Sequence, residues 1–292
     1  MDGRTKVYGI IANPVEHSMS PVLHNLYGEQ TGVDLVYVPF KVKEQELKRA
    51  VEGAFALNVQ GMSVTVPHKQ AVMQYLAKID TAAADIGAVN TLVRTECGYK
   101  GYNTDVTGLL RAVREEGIVM QGRKCIVLGA GGAARAASYM LAKEGAEEIW
   151  ILNRSPERAR ALAGWLNGLT GQDTAKPLAL SDCAGIPGNG YFAIQSTSVG
   201  MHPETGNAPI EAPAFYEKIS EAYDCIYTPA ETKFMKLVKA AGGRAFNGLN
   251  MLLYQGVAAF ELWNPDIRVE AAAVKAARRR IQQLLSQEKQ QA

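Results

Sequence analysis

No stretch of this 292-residue chain approaches the roughly 18 consecutive apolar residues a membrane span needs, so none is expected. Cysteine is scarce, and Cys97, Cys125, Cys183 and Cys225 form no C-x-x-C pair, which argues against a zinc site and against a disulfide framework. The 4 histidines show no metal-ligand spacing either, so no metal is expected. Charge of one sign is also missing. With 31 basic and 29 acidic residues the formal net charge is +2, so neither nucleic acid nor an anionic membrane surface is an expected partner. Met1–Thr5 leads straight into an apolar strand pattern without a signal-peptide core. Together with unpaired cysteines, this predicts a reducing, cytoplasmic compartment. Internal repeats and low-complexity tracts are absent as well.

What is present is a composition that can bury a core and stay soluble, at a length suited to one large or two modest domains. Short apolar or β-branched runs alternate with longer amphipathic stretches. Val7–Ala12, Leu35–Phe40 and Met62–Val66 read as strands, and helical patterns cover Val22–Thr31, Glu44–Phe55 and Gln70–Lys78. Ala88–Arg94 and Cys97–Tyr102, joined through Thr95-Glu96, read as a hairpin added to a mostly parallel α/β sheet. A helix over Val106–Glu116 leads to a second α/β unit with strand patterns at Lys124–Leu128, Glu148–Leu152, Ala193–Ser196 and Ala222–Tyr227. The segment Gly168–Gly190 looks loop-rich. Helical patterns at Leu249–Trp263 and Val269–Ser286 close the chain, and the polar end Gln287–Ala292 is expected to fray.

Gly129-Ala130-Gly131-Gly132-Ala133-Ala134 follows a strand and opens a helix, as a dinucleotide site requires. The first glycine permits the tight turn, the second lets backbone amides approach a pyrophosphate, and the helix N-terminus attracts negative charge. An ordinary β-α turn is the plainer alternative, but strand, turn, helix and second strand fall together within ~30 residues. An NAD site normally has an acid at the tip of the second strand, accepting from the ribose 2′-hydroxyl. Here the tip reads Asn153-Arg154-Ser155-Pro156-Glu157-Arg158. Two guanidiniums and a hydroxyl suit the 2′-phosphate of NADP, while Ser155-Pro156 also suits a helix start.

Polar loops collect where strands of the first half end, and in open α/β sheets ligands gather at the carboxyl ends of strands. Taken singly, each residue has a plain reading. Asp105 would cap a helix, Lys69 would be solvated, and Ser18 and Ser20 would be turn residues. Asn90 would cap a turn, Gln255 would face outward from its helix and Met251 would be core. His17, His24 and His68 are read as structural. Their joint order changes the weighing. Asn13-Pro-x-x-His-Ser-x-Ser-Pro-x-x-His-Asn25, Thr65-Val-Pro-His-Lys69, Gly87-Ala-Val-Asn-Thr91 and Gly101-Tyr-Asn-Thr-Asp105 occur in sequence. They are followed by the glycine turn, Asn153-Arg154, Thr197-Ser-Val-Gly-Met201, Tyr227-x-Pro-x-x-Thr232 and Gly248-x-x-Met-Leu-x-x-Gln255.

Over almost its whole length the sequence resembles the shikimate dehydrogenase family. That resemblance implies an NADP-dependent oxidoreductase of two domains, interconverting 3-dehydroshikimate and shikimate for chorismate and aromatic amino acid biosynthesis. A mostly parallel α/β substrate domain would comprise 1–105 plus 245–292, and a Rossmann-type domain 106–244, facing each other across a cleft that closes. Ser18 and Ser20, with Tyr227, would hold the substrate carboxylate, and Thr65, Lys69, Asn90, Asp105 and Gln255 the ring hydroxyls. Gly129–Ala134, Asn153, Arg154, Ser155 and Arg158 would hold NADP, while Thr197, Ile226, Gly248 and Met251 flank the nicotinamide. Lys69 is the matched residue able both to neutralise a developing alkoxide and to supply a proton, with Asp105 orienting it.

One departure concerns Gln195-Ser196-Thr197, where the family usually has Asn in place of Gln195, so this loop is expected to sit slightly differently. The resemblance also leaves room for a homodimer. Its rivals are a quinate/shikimate dehydrogenase preferring NAD, which the missing acid after Leu152 disfavours, and a non-catalytic NADP-binding regulatory module. The latter has no need of a Lys69–Asp105 pair.

Overall fold

Lys6–Ala12 (KVYGIIA) is short, rich in β-branched and aromatic residues, and nearly all buried, and it forms strand β1 inside a sheet. The computed structural model describes residues 1–291, with side chains through 287. The chain divides into two units, Met1–Gly108 joined by the chain from Leu252 onward, and Leu109–Met251. Both boundaries fall inside helices, whereas the sequence suggested residues 105 and 245.

The first unit contains β1, α1 (Ser20–Thr31), β2 (Leu35–Lys41), α2 (Leu47–Ala56), β3 (Gly61–Val64), β4 (Lys78–Ile79), α3 (Thr81–Ile86), β5 (Thr91–Thr95), β6 (Gly98–Tyr102) and the start of α4 (Thr104–Glu115). The sheet order is β2-β1-β3-β5-β6-β4. β1 pairs in parallel with β2 and β3, while β5 is antiparallel to both β3 and β6, as the hairpin reading implied. Gln70–Lys78 departs from expectation. Only a short 3₁₀ segment, Ala71–Tyr75, forms there. From Ala77 the backbone is captured by β6, with Ala77 N donating to Tyr99 O and Asp80 N to Gly101 O, so β4 forms where a helix was expected.

The second unit contains β7 (Lys124–Leu128), α5 (Gly132–Lys143), β8 (Glu148–Asn153), α6 (Pro156–Thr170), β9 (Ala175–Ala179), β10 (Tyr191–Gln195), α7 (Pro213–Tyr216), β11 (Ile219–Asp224), α8 (Lys233–Ala240) and β12 (Arg244–Phe246). Its six strands are parallel, in the order β12-β11-β10-β7-β8-β9. That is the dinucleotide-binding strand order, with its switch point between β7 and β10. A core of Ile126, Leu128, Tyr191, Phe215, Phe234 and neighbours packs one face. β9 lies in the segment expected to be loop, held by Asn167, whose side chain exchanges hydrogen bonds with the backbone of Ala175 at 2.8 and 3.0 Å. β11 ends earlier than the expected Tyr227, because the Asp224 carboxylate accepts from Ile226 N at 2.9 Å and turns the chain.

α9 (Leu249–Trp263) and α10 (Ala271–Gln291) end the chain. α10 remains helical through Gln291 where fraying was expected, and Ala292 lies outside the described residues. From Leu252 onward α9 packs on the first sheet and on α1. Trp263 Nε1 donates to Leu92 O at 2.8 Å, Tyr27 Oη donates to Leu253 O at 3.2 Å, and the Trp263 ring leaves no room for a Cβ on Gly61.

α4 meets α9 at Gly108. A Cβ there would lie 2.6 Å from Gln255 N and 2.8 Å from Gln255 Cα, backbone atoms that cannot swing aside. Gly108→Ala is therefore expected to destabilise the protein by about 1–3 kcal/mol despite alanine's better helix propensity. Thermal unfolding followed by circular dichroism checks this, and a raised Tm would mean the helices separate freely.

Candidate active site

In the first unit, the loop after β3 is fixed along its length. Thr65 N donates to Ile11 O at 3.1 Å and His68 N to Thr65 O at 2.9 Å, while Val89 N donates to Lys69 O at 2.8 Å. The His68 ring is buried with Nε2 2.8 Å from Val42 O, anchoring the turn just before Lys69. The Lys69 side chain ends 2.6 Å from Asp105 Oδ2, with 26% and 13% of the two side chains exposed.

Asp105 does not cap α4. That role falls to Asn103, whose Oδ1 accepts from Asp105 N at 3.1 Å while its Nδ2 donates to Ala88 O at 3.0 Å. The Asp105 carboxylate, in the first turn of α4, is thereby left for other partners. Asn90 Nδ2 donates to Asp105 Oδ1 at 2.8 Å. Its orientation is dictated by the other end of the amide, because Thr104 N can only donate, and the atom 2.8 Å away must be the Asn90 oxygen. Thr91 Oγ donates to that oxygen at 2.9 Å. Both carboxylate oxygens of Asp105 are thus engaged, and the Lys69 ammonium keeps further donors for a ligand.

The serine loop ends near the same strands. Asn13 N donates to Val66 O at 3.2 Å, joining the loop after β1 to the loop after β3. Ser20 opens α1, is largely buried, and donates from its backbone N to Ser18 Oγ at 3.3 Å. Gln255 Nε2 donates to Leu252 O at 3.0 Å, and the Gln255 backbone abuts Gly108, one turn beyond Asp105. Lys69 and Asn90 both contact Asp105, and the Gln255 backbone lies against Gly108 one turn along α4. The Asn13–Val66 bond ties the loop after β1, which leads on to Ser18 and Ser20, to the loop after β3.

In the second unit the glycine turn lies at the switch point. Gly129 has φ of +115°, and a Cβ on it would sit 2.8 Å from Ser196 Oγ and 3.1 Å from Thr197 Cγ2, so only glycine fits. Gly131 is the N-cap of α5 with no side-chain cap, and a Cβ on Gly131 or Gly132 would meet nothing within 4 Å. Ala130 and Ala133 are half-buried, whereas Ala134 is fully buried against the sheet. The open space over Gly131 and Gly132, beside an uncapped helix N-terminus, fits a pyrophosphate.

At the tip of β8, Asn153 Nδ2 donates to Ser155 O at 3.1 Å. Arg154 and Arg158 are exposed and make no ion pair among the described residues. Ser155 stands at the N-cap of α6, yet its hydroxyl donates to Glu157 Oε2 at 2.9 Å instead of capping, and Glu157 Oε1 accepts from Arg160 at 2.9 Å. The acid in the first turn of α6 is thus occupied, and two guanidiniums remain for a dianion. This donor set fits a 2′-phosphate.

Beyond β10 and β11, two buried polar side chains in paired register each shape the loop that leaves their own strand. Gln195 Oε1 accepts from Thr197 N at 2.5 Å and its Nε2 donates to Val199 O at 3.1 Å, so the extra methylene is accommodated by bridging the loop. Asp224 holds Ile226 N and also accepts from Thr232 Oγ at 2.6 Å. Gly248 N donates to Ile226 O at 3.0 Å, with no room for a Cβ against Cys225, and Tyr223 Oη lies 3.0 Å from Met251 N. Ile226, Gly248 and Met251 are therefore neighbours at the end of β11, and Tyr227 is half-buried in the same loop.

Sequence reading did not assign Asn103, Asp224 or Thr232 a role, although Asn103 and Thr232 stand inside motifs it quoted. Burial pushes the Asp224 carboxyl up to about 6 from its ordinary 3.8, against the lowering effect of Thr232 and Ile226. Between those values the folded state holds a proton that the unfolded state has lost, so wild type loses stability as pH rises from about 4 to 6. Asp224→Asn carries no such proton. Its stability relative to wild type is expected to climb by on the order of 3 kcal/mol across that range, read from denaturant unfolding at stepped pH.

Three family profiles match the chain: "Shikimate dehydrogenase substrate binding domain" at residues 10–92, "Shikimate / quinate 5-dehydrogenase" at 112–183 and "Shikimate 5'-dehydrogenase C-terminal domain" at 248–277. The shikimate dehydrogenase (NADP(+)) of Methanothermobacter thermautotrophicus is 42% identical over 283 residues, spanning 94% of this chain and 97% of that protein. A shikimate dehydrogenase crystallised in complex with NADP+ is similar at 37% identity and a TM-score of 0.86, covering 95% of this chain and 96% of its own. The ligand-free 5-ketofructose reductase of Gluconobacter sp. strain CHM43 is similar at 30% identity and a TM-score of 0.83, covering 96% and 100%. The architecture thus also serves a different carbonyl substrate. With motifs, strand order and relatives in agreement over nearly the full length, the chain belongs to the shikimate dehydrogenase family.

Proposed function

We propose that this chain catalyses the reversible NADPH-dependent reduction of 3-dehydroshikimate to shikimate, a step toward chorismate and the aromatic amino acids. The observation that carries the reading is the Lys69–Asp105 contact of 2.6 Å, with Asn90 fixing the second carboxylate oxygen. A regulatory NADP-binding module has no use for such a pair.

Lys69 Nζ holds the proton that passes to the carbonyl oxygen as the ketone becomes an alcohol, and its charge stabilises negative charge developing there. In the reverse direction the same nitrogen takes the proton back. Asp105 keeps the ammonium oriented, and Asn90 prevents the carboxylate from turning away. Ser18 and Ser20 present hydroxyls to the substrate carboxylate, joined by Tyr227, while Thr65, Asn90 and Gln255 serve the ring hydroxyls. NADPH, when bound, supplies the hydride that reduces the carbonyl carbon. Gly129–Ala134 and the N-terminus of α5 would hold its pyrophosphate, and Asn153, Arg154, Ser155 and Arg158 its 2′-phosphate. Thr197, Ile226, Gly248 and Met251 would line the nicotinamide. Residues 1–108 with the chain from 252 would act as the substrate domain and 109–251 as the cofactor domain.

A cytoplasmic location goes with this reading, supported by four free cysteines. Among the described residues no helix is long and apolar enough to cross a membrane. A homodimer remains part of the proposal, and sedimentation velocity reads it directly.

Steady-state turnover with shikimate, quinate and 5-ketofructose, each with NADP(H) and NAD(H), tests the activity. Shikimate with NADP+ is expected to exceed every other pairing in kcat/KM by about tenfold or more, since each unmatched polar contact costs about 1–3 kcal/mol. A higher kcat/KM on either of the other two substrates would overturn the substrate assignment while leaving the family untouched.

A further inference from the structure

We infer that Asp224 is a positioning residue for the reaction: it holds the loop 225–232 in the shape that presents Ile226 and Tyr227 at the nicotinamide end of the site. This rests on the proposed function, which puts those two residues against cofactor and substrate.

The carboxylate joins both ends of the loop. Oδ1 accepts from Ile226 N at 2.9 Å just after β11, and Oδ2 accepts from Thr232 Oγ at 2.6 Å where the loop runs into α8. Thr232 Oγ in turn accepts from Met235 N at 3.2 Å, capping α8, so one buried side chain sets strand end, loop and helix start together. Neither Asp224 nor Thr232 exposes any surface, and no cation pairs with Asp224 among the described residues.

A neutral side chain can also cap a turn, without the cost of burying an unpaired charge. A carboxylate accepts stronger hydrogen bonds, and here it makes two of them at opposite ends of one loop. The gain lies in where that loop goes. Ile226 O accepts from Gly248 N at 3.0 Å, fixing Ile226 beside the start of α9, and Thr228 O accepts from His202 N at 3.2 Å in the loop after β10. With the carboxylate gone, Ile226 N loses its partner and the loop is released from α8, so both contacts shift and Ile226 and Tyr227 move with them.

The grip on the adenosine end lies elsewhere, at the glycine turn and the tip of β8, and this separates a positioning role from general damage. Adenosine 2′,5′-bisphosphate lacks the nicotinamide, so its binding by calorimetry counts folded sites without reporting on the loop. Asp224→Ala is expected to bind it within about twofold of wild type, while kcat per binding-competent site falls by about 5- to 30-fold, as misplacement of reacting groups does. Thr232→Val removes the same oxygen contact and should fall in the same direction, whereas Thr232→Ser keeps it and should restore near-wild-type kcat. Thr232→Val also carries the test should Asp224→Ala fail to fold. Turnover per site within twofold of wild type in the variants, or Thr232→Ser as impaired as Thr232→Val, would overturn the inference. If wild type binds the bisphosphate yet leaves shikimate unoxidised, the substrate reading fails separately. The affinity ratio of NADP+ to the bisphosphate then decides, falling in Asp224→Ala if the loop bears on the nicotinamide and unchanged if it does not. Wild type that binds neither nucleotide sinks both.

Discussion

Lys69→Ala is expected to lower kcat by ~10²–10⁴ with a much smaller change in KM for shikimate, because a proton donor acts chiefly in the transition state. The surroundings of Lys69 make the variant interpretable. Its backbone is pinned by Val89 N on Lys69 O and by the buried His68 ring just before it, so the loop has no reason to move when the side chain is cut back. Asp105 keeps its bond from Asn90 and stays in place, but its charge is left without the cation 2.6 Å away. Lys69→Arg separates charge from proton transfer, since a guanidinium maintains the ion pair yet does not give up its proton. It should recover little of the lost kcat. Asp105→Asn should be milder than Lys69→Ala and in the same direction. Near-normal kcat in Lys69→Ala, with the wild type active on shikimate, would remove Lys69 from the chemistry and leave the pair a structural ion pair.

What the sequence revealed depended on how local the cause was. β7, the glycine turn, the start of α5 and β8 were read nearly residue for residue, because hydrophobic runs, a turn requiring positive φ and a helix start all lie within one short segment. Gln70–Lys78 was misread as a helix since its capture by β6 comes from a strand more than twenty residues later. β11 was read too long for a subtler reason. Cys225-Ile226-Tyr227 continues the apolar pattern, and only the Asp224 carboxylate, by taking the Ile226 amide, bends it away. The site shows the same division. Lys69 and Asp105 were visible as members of an ordered set of motifs, but sequence favoured Asp105 as a helix cap when read alone. That Asn103 caps instead, leaving Asp105 for Lys69 and Asn90, is a matter of hydrogen-bond geometry across two turns. The return of α9 to the first sheet was implied by matching Gln255 to the substrate. Yet the contacts that hold it there, Trp263 on Leu92 and Gly61, Tyr27 on Leu253 and the backbone approach of α4 at Gly108, join residues far apart in sequence that no local pattern marks.

Arg154→Ala is expected to raise KM for NADP+ by roughly 10- to 150-fold and to leave KM for NAD+ nearly unchanged. A charge-assisted hydrogen bond contributes about 1.5–3 kcal/mol, which sets that range, and NAD+ has no phosphate to lose it from. Arg154 follows β8 directly, where a dinucleotide fold presents the ribose, and it stands exposed without an ion pair among the described residues. No existing contact has to break for it to bind a phosphate. Glu157, in the first turn of α6, is an acid that would oppose the dianion, and its charge is met by Arg160 at 2.9 Å and by the Ser155 hydroxyl. Ser155 is correspondingly the weaker contributor, because its hydroxyl must leave Glu157 to reach a ligand. Arg158, one turn into α6, offers a second cation, so Arg154→Ala with Arg158→Ala should lose more than Arg154→Ala alone. Raised salt should narrow the gap between wild type and variant, since both guanidiniums face solvent. An exposed side chain without partners contributes little to folding, so Tm should scarcely move and the kinetic change can be read as binding. The measurement is the ratio of kcat/KM for NADP+ over NAD+ in each protein. A wild type that prefers NAD+, or a double variant that keeps its NADP+ preference, would show that the tip of β8 does not read the 2′-phosphate.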